Sequence, residues 1–131
     1  MLSLKNVMRA NAISCLVFGV LFVLLPKLVA IFLGGSSPAP HLYILVLGIV
    51  LIVNGFHLLW ASRAPLPQKN LVIYFSTGDF IWVIGSIGLV ASGVWITTSG
   101  GVLATYVVAI MVGLFGILQL KSRKSMVGNL T

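Results

Sequence analysis

Acidic residues are almost absent from this chain. Asp79 is the only one among 131 residues, and the sequence contains no glutamate. Paired carboxylates for general acid–base catalysis and acidic clusters for hard metal ions are therefore excluded. The single cysteine, Cys15, cannot form a disulfide within the chain. Because these absences remove the residue sets that most enzymes use, we predict that the protein is not an enzyme.

Charge of either sign is scarce. Only 7% of the residues are charged and 60% are hydrophobic, and the mean hydropathy is +1.18. An ordinary soluble domain carries about 25% charged residues. A water-soluble fold of this length could not bury so much apolar surface. The composition therefore predicts an integral membrane protein whose main partner is the lipid bilayer.

Four long apolar runs are separated by links rich in glycine, proline and basic residues. The runs cover about residues 11–33, 42–61, 71–96 and 102–120. Each is close to the roughly 20 residues that cross a bilayer as a helix. We therefore predict one all-α domain over residues 1–131, a bundle of four transmembrane helices. Pro26 is expected to kink the first helix, and the residues after Lys124 are expected to form a mobile polar tail.

The basic residues predict the orientation of the bundle. With four spans, only Lys27 of the eight Lys and Arg residues falls toward one side of the membrane. The others fall on the opposite side: Lys5, Arg9, Arg63, Lys69, Lys121, Arg123 and Lys124. The positive-inside rule then predicts that both termini are cytoplasmic, and that the basic groups meet anionic lipid rather than nucleic acid.

So strong a charge bias argues against one class of small membrane protein. Antiparallel dimers of the fluoride-channel or small multidrug exporter type insert in both orientations and need a weak bias. The exporters also need a glutamate in the first helix, and this chain has none.

Glycines recur in ways that predict helix contacts. Gly48 and Gly55 are seven residues apart, as are Gly78 and Gly85, and small residues at such spacing let helix backbones approach each other. Glycines also occur at similar places in the two halves of the chain. Two helical hairpins of like topology would give that pattern, and so would the general similarity of four-helix membrane proteins.

Asp79 lies inside the third apolar run, where a carboxylate is costly unless it has a partner or a function. A rise of about 1.5 Å per residue places it roughly 15 Å from the predicted cytoplasmic interface, near the middle of the membrane. Gln119 is expected to be shallow. The side chains predicted to gather around Asp79 are Asn54 and His57 of the second run, Asn11 and Arg9 of the first, and Trp82 of its own run.

Helical spacing assigns these side chains to faces. Asn54 and His57 share one face of the second helix, and Asn11 shares a face of the first with Ser14, Cys15 and Phe18. Arg9 points nearly opposite Asn11. It would have to reach around the helix, or extend to the interface, to approach Asp79.

Two interpretations of Asp79 stay open at the level of the sequence. In the structural one it pairs with Arg9 or His57, or hydrogen-bonds to Asn54, and fixes helix register. In the functional one it is part of a proton relay, a cation site or an anchor for a polar ligand. We predict no metal site, because Asp79, His57 and Cys15 lack a ligand spacing, and no cofactor.

Four short patterns along the chain support a family resemblance. They are Arg9-x-Asn11-Ala12, Leu33-Gly34, Leu47-Gly48 and Gly78-Asp79-Phe80-x-Trp82. In these the chain resembles the small four-helix bacterial inner-membrane proteins that are loosely called DoxX-like. The resemblance implies a multi-pass protein of the inner (plasma) membrane with a four-helix fold. It implies no activity and no functional residue.

The sequence thus predicts a non-enzymatic membrane protein with a buried polar cluster around Asp79. It would act as an accessory or structural subunit, beside another membrane protein or a copy of itself, or bind a small polar or lipidic ligand. The alternative is a small ion- or proton-coupled transporter or channel that uses Asp79. A permeation path needs polar groups at all depths, and here they are concentrated in the cytoplasmic half.

Overall fold

Helices account for the regular structure of the chain. The computed structural model describes residues 3–130, and within them it contains five helices and no strand. The helices are α1 (Leu4–Leu24), α2 (Pro26–Gly34), α3 (His41–Ala61), α4 (Lys69–Ser92) and α5 (Ser99–Leu130). All but α2 are long and apolar enough to cross a membrane. The predicted all-α fold class with four helices of membrane-spanning length is therefore confirmed, while the cytoplasmic termini stay a prediction.

The first predicted run forms two helices rather than one kinked helix. Leu25 leaves the helical conformation, with φ −130° and ψ 50°, and Pro26 is the first residue of α2. Proline has no backbone N–H to continue the ladder, and its ring disfavours the helical conformation in the residue before it. The helix α1 also begins earlier than predicted, because the Ser3 side chain accepts a hydrogen bond from the Asn6 N–H, at 3.2 Å, and caps it.

The third predicted run ends early. The helix α4 stops at Ser92, and Gly93 closes it in the left-handed conformation with φ 69°. Trp95 then adopts φ 64°, which is rare for a bulky residue. The N–H groups of Thr97 and Thr98 both donate to the Leu33 carbonyl, at 2.9 and 3.1 Å, and so attach this turn to the end of α2.

The residues after Lys124 are helical as far as Leu130, so the predicted mobile tail is wrong over that stretch. The Arg123 Nε–H donates to the Pro67 carbonyl at 2.9 Å. Met126 packs against the main hydrophobic cluster. These contacts hold the last turns of α5 against the link between α3 and α4.

The helices associate as two pairs. The helix α1 packs along α3, and α4 packs along α5, while α1 and α2 join the pairs through α5. One core cluster lies at the end of the bundle that holds the start of α1, the last turns of α5 and the link 62–68. We call this the terminal end, and the cluster includes Leu4, Met8 and Leu58. A smaller one, with Ala30 and Ile44, lies at the opposite end, near the links 35–40 and 93–98, which we call the loop end.

Between these clusters the helices α3 and α4 diverge. Within residues 3–130 the two helices share almost no backbone proximity. They meet at the terminal end, where the His57 ring lies 4.9 Å from the Phe75 ring and 5.9 Å from the Tyr74 ring. Toward the loop end the space between them is open, and we call it the α3–α4 cleft.

Candidate functional site

The carboxylate of Asp79 lies at the junction of three helices. It is 5% exposed and faces α1 and α5. The Asn11 amide donates to both carboxylate oxygens, at 3.3 Å to Oδ1 and 3.0 Å to Oδ2. The Gln119 amide donates to Oδ2 at 3.2 Å. The two carboxyl oxygens are thus met by side-chain amides from two other helices.

Further hydrogen bonds close the network. The Asn11 Nδ2 also donates to the Gln119 Oε1 at 2.9 Å, and the Gln119 Nε2 donates to the Ser76 Oγ at 3.1 Å. The Ser76 hydroxyl in turn donates to the Gly116 carbonyl at 3.0 Å. We call Asn11, Ser76, Asp79 and Gln119 the Asp79 cluster. Among the described residues, every buried side-chain nitrogen or oxygen has a hydrogen-bond partner.

Local helix geometry explains how these groups meet. Ser76 and Asp79 are three residues apart and share a face of α4, and Gly116 and Gln119 share a face of α5 in the same way. A Cβ atom on Gly116 would lie 2.9 Å from the Phe80 ring and 3.3 Å from the Asp79 Cβ. The glycine therefore lets α5 approach α4 closely enough for the hydrogen bonds to form.

The structure brings together only part of the predicted polar group. Asn11 is 1% exposed and bonds directly to Asp79, whereas Arg9 is exposed on the other side of α1. Among the described residues neither Arg9 nor His57 pairs with Asp79, so the direct pairs predicted from the sequence are wrong. The His57 ring instead lies among aromatic rings, including that of Trp60 at 5.8 Å.

Asn54 is connected to the Asp79 cluster only through the cysteine. Its amide donates to the Cys15 Sγ at 3.5 Å, and the Cys15 thiol donates to the Asn11 Oδ1 at 3.7 Å. Sulfur is a weak partner in both roles. The predicted direct hydrogen bond between Asn54 and Asp79 is therefore replaced by an indirect and weaker connection.

Sequence reasoning missed Gln119 and Ser76 as members of the cluster. Gln119 is fully buried, although its place near the end of the fourth apolar run predicts a shallow position. That estimate took Lys121 as the interface, but α5 continues to Leu130. The signal that identifies Ser76 is its spacing of three residues from Asp79 on one helix face.

The chemistry of the cluster is that of a hydrogen-bonded joint. Its donors are neutral amides and a hydroxyl, and within the described part of the chain no cation pairs with the carboxylate. Residues 3–128 also contain no group of three His, Cys, Asp or Glu side chains that could hold a metal ion. The hydrogen bonds of the cluster thus connect α1, α4 and α5 at one carboxyl group.

Two cavities lie beside the cluster. One, of about 480 Å³, is bordered by Asn11, Asn54, His57, Thr77 and Asp79, and we call it the polar cavity. The other, of about 800 Å³, lies toward the loop end with an almost entirely apolar lining, and we call it the apolar cavity. The two share four lining residues: Phe18, Leu47, Trp82 and Val108. Trp82, predicted as part of the site, therefore borders both cavities but makes no hydrogen bond to Asp79.

No protein-family model, curated protein or solved structure matches this chain. The resemblance to DoxX-like proteins therefore stays a prediction, and the role of each residue has to be argued from the geometry alone.

Proposed function

We propose that this protein is a non-enzymatic, multi-pass protein of the bacterial inner membrane, with cytoplasmic termini, that acts as a structural or accessory subunit. In this proposal the Asp79 cluster is a clamp that fixes the register of the two helix pairs. The observation that supports it is the closed hydrogen-bond network joining α1, α4 and α5.

Burial supports the structural role of the cluster. Asn11, Ser76 and Gln119 are each at most 1% exposed, and Asp79 is 5% exposed. A group that exchanges protons or ions needs a path to water, whereas a register-setting group needs only its partners. Interhelical hydrogen bonds in membranes contribute about 0.6 kcal/mol on average and up to about 1.7 kcal/mol. Several of them acting together give one preferred alignment of the helices.

The test compares three variants in detergent by thermal unfolding. Asp79→Leu removes the carboxyl acceptor of the Asn11 and Gln119 amides and leaves each with one other acceptor, and we expect it to destabilise the protein by about 1–3 kcal/mol. Asp79→Asn keeps one acceptor oxygen and should cost less. Thr77→Val, on the same helix but outside the network, is the matched control and should have almost no effect. Unchanged stability in Asp79→Leu would contradict the clamp.

The second candidate function is an ion- or proton-coupled transporter that uses Asp79. One observation favours it, since the polar cavity reaches the edge of the Asp79 side chain. We place it second because the apolar cavity beyond it offers few polar side chains, mainly Ser86 and Thr105. Proteoliposomes with an imposed pH gradient test it: flux in the parent protein that is lost in Asp79→Asn would support transport and contradict the accessory role.

A further inference from the structure

We propose that the α3–α4 cleft binds an elongated apolar molecule that carries one uncharged hydrogen-bonding end. The apolar part would lie along the apolar cavity and the polar end would bond to Asn54, His57 and Thr77. This inference does not depend on the proposed clamp, since Asn54, His57 and Thr77 lie outside the Asp79 cluster.

The size of the space fits a small-molecule ligand. The apolar cavity measures about 800 Å³, within the range of about 300–1,000 Å³ that ligand pockets span. Along α4 the two cavities extend from Tyr74 to Leu89, which corresponds to about 22 Å of helix. A long and narrow molecule matches this shape better than a compact one.

The wall that α4 presents to the cleft lacks a packing partner. A Cβ atom on Gly78, Gly85 or Gly88 would meet no atom within 4 Å. Since the cleft opens sideways at the depth of the predicted hydrocarbon core, water is a poor occupant for its apolar part. An apolar chain from the bilayer would restore the missing contacts.

Polar groups at one end of the cleft also lack partners. Among the described residues, the His57 ring nitrogens and the Thr77 hydroxyl form no hydrogen bond, and the Asn54 oxygen accepts none. Unpaired polar groups at membrane depth are costly, so an occupant that supplies a donor and an acceptor is favoured. This argues against a helix of a second copy, because the exposed faces of these helices consist largely of Leu, Ile and Val.

The polar end is inferred to be uncharged because the polar cavity offers no free partner for a charged end. The Asp79 carboxyl borders this cavity, but its oxygens already accept hydrogen bonds from Asn11 and Gln119. Among the described residues no Lys or Arg lines the cavity, so an anionic end would have no such cation beside it. A hydroxyl or carbonyl group needs neither partner and can meet the His57 ring and the Asn54 amide.

Aromatic contacts close the two ends of the cleft. At the terminal end the His57, Tyr74 and Phe75 rings join α3 to α4. At the loop end Trp95 packs against Tyr43 with ring centroids 5.4 Å apart. Trp95 does so from a backbone with φ 64°, a strained conformation of the kind that occurs at ligand clamps. The occupant is therefore bounded along the cleft and open to the bilayer only sideways.

The experiment uses tryptophan quenching in nanodiscs. The probes are dibromo-octadecanol and dibromo-octadecane, which share a bromine-bearing chain and differ in the hydroxyl end. One version of the protein keeps only Trp82, which lines both cavities, with Trp60→Phe and Trp95→Phe. The reference version keeps only Trp60, which is 60% exposed outside the cavities.

We expect the alcohol to quench Trp82 fluorescence saturably at a low mole fraction. Quenching of Trp60 should rise linearly with the amount of probe in the bilayer. The hydrocarbon should need about fivefold more probe than the alcohol, as expected for one lost hydrogen bond. His57→Phe with Asn54→Leu should remove that difference. Gly85→Leu fills the cleft and should abolish saturation, whereas Ala91→Leu, at an exposed position of α4, should not.

Several outcomes would overturn the proposal. Linear quenching of Trp82 that matches Trp60 would show that the cleft holds only bulk lipid. If the alcohol and the hydrocarbon reach half-saturation at the same mole fraction, the inference that the ligand has a hydrogen-bonding end is wrong. A dimer that Gly85→Leu dissociates and the alcohol does not displace would assign the cleft to a second copy. Helicity measured by circular dichroism checks that each variant folds, and Gly88→Leu replaces Gly85→Leu if that variant fails.

Discussion

Glycines face opposite surroundings on the two sides of this bundle. On the packed side, between α1 and α3, a Cβ atom on Gly19, Gly48 or Gly55 would lie within 2.7–2.8 Å of a neighbouring atom. On the open side, along α4, a Cβ atom on Gly78 or Gly85 would meet nothing within 4 Å. The same residue at the same seven-residue spacing therefore serves helix contact in one place and borders a cleft in the other.

This difference shows what small-residue spacing does and does not predict. The predicted contacts at Gly48 and Gly55 are confirmed, because α1 approaches α3 there almost backbone to backbone. The contacts predicted at Gly78 and Gly85 are wrong, because α4 packs on α5 through its other face. A smooth helix face permits close approach, but the topology decides whether a neighbour is present.

The largest effect is expected from filling the packed side. A leucine at position 48 would meet the Gly19 carbonyl oxygen at 2.8 Å, and neither backbone can yield without separating α1 from α3. We expect Gly48→Leu to cost about 3 kcal/mol or more, at the upper end of the range for overpacking. The measurement is thermal unfolding in detergent, with Gly85→Leu as the matched control. If the two variants unfold at the same midpoint temperature, the difference between the packed and the open side is contradicted.

An intermediate effect is expected from two amides, one inside the Asp79 cluster and one at the border of the polar cavity. Gln119→Leu, inside the cluster, leaves the Asn11 amide without one acceptor and Asp79 without one donor, and we expect a loss of about 1–2 kcal/mol. Asn54→Leu, at the border of the cavity, removes one weak bond to sulfur and should change the stability by less than about 0.5 kcal/mol. Denaturation of both variants under one condition measures the difference. A larger loss from Asn54→Leu would reverse the comparison.

The smallest effect is expected from Gly85→Ala, and its sign is opposite. Glycine in the middle of a helix is less favourable than alanine by about 0.5–1 kcal/mol. Because the new methyl group would meet no atom, nothing offsets that gain, and we expect slightly higher stability. Gly55→Ala, where a Cβ would lie 2.8 Å from the Leu16 side chain, is the control and should not be stabilised. Destabilisation by Gly85→Ala would mean that the cleft wall is packed.

The helices were the most predictable part of the fold, and their ends the least. Four apolar runs predict four helices, because run length and hydrophobicity are properties of a continuous stretch of chain. Pro26 breaks the helix at Leu25, whereas the sequence predicts only a kink there. The helix beyond Lys124 depends on contacts of Arg123 and Met126 with distant segments, which no local pattern contains.

The candidate site was predictable in its faces but not in its pairs. Asn11, Ser14, Cys15 and Phe18 were predicted to share a face and all border the polar cavity. The prediction that Arg9 or His57 pairs with Asp79 is wrong, because it rests only on opposite charge and similar depth. Helix α5 takes that place instead, and it contributes an uncharged glutamine.

Local chemistry along the chain is enough to predict four helices suited to a bilayer and one acidic side chain that needs partners there. Run length and helical period are properties of a continuous stretch of residues, so neither prediction needs coordinates. The identity of those partners, Asn11 and Gln119, and the open face of α4 toward α3 become visible only when the helices are packed together. Those outcomes depend on which helices cross and how closely, and this is settled by packing between residues far apart in sequence.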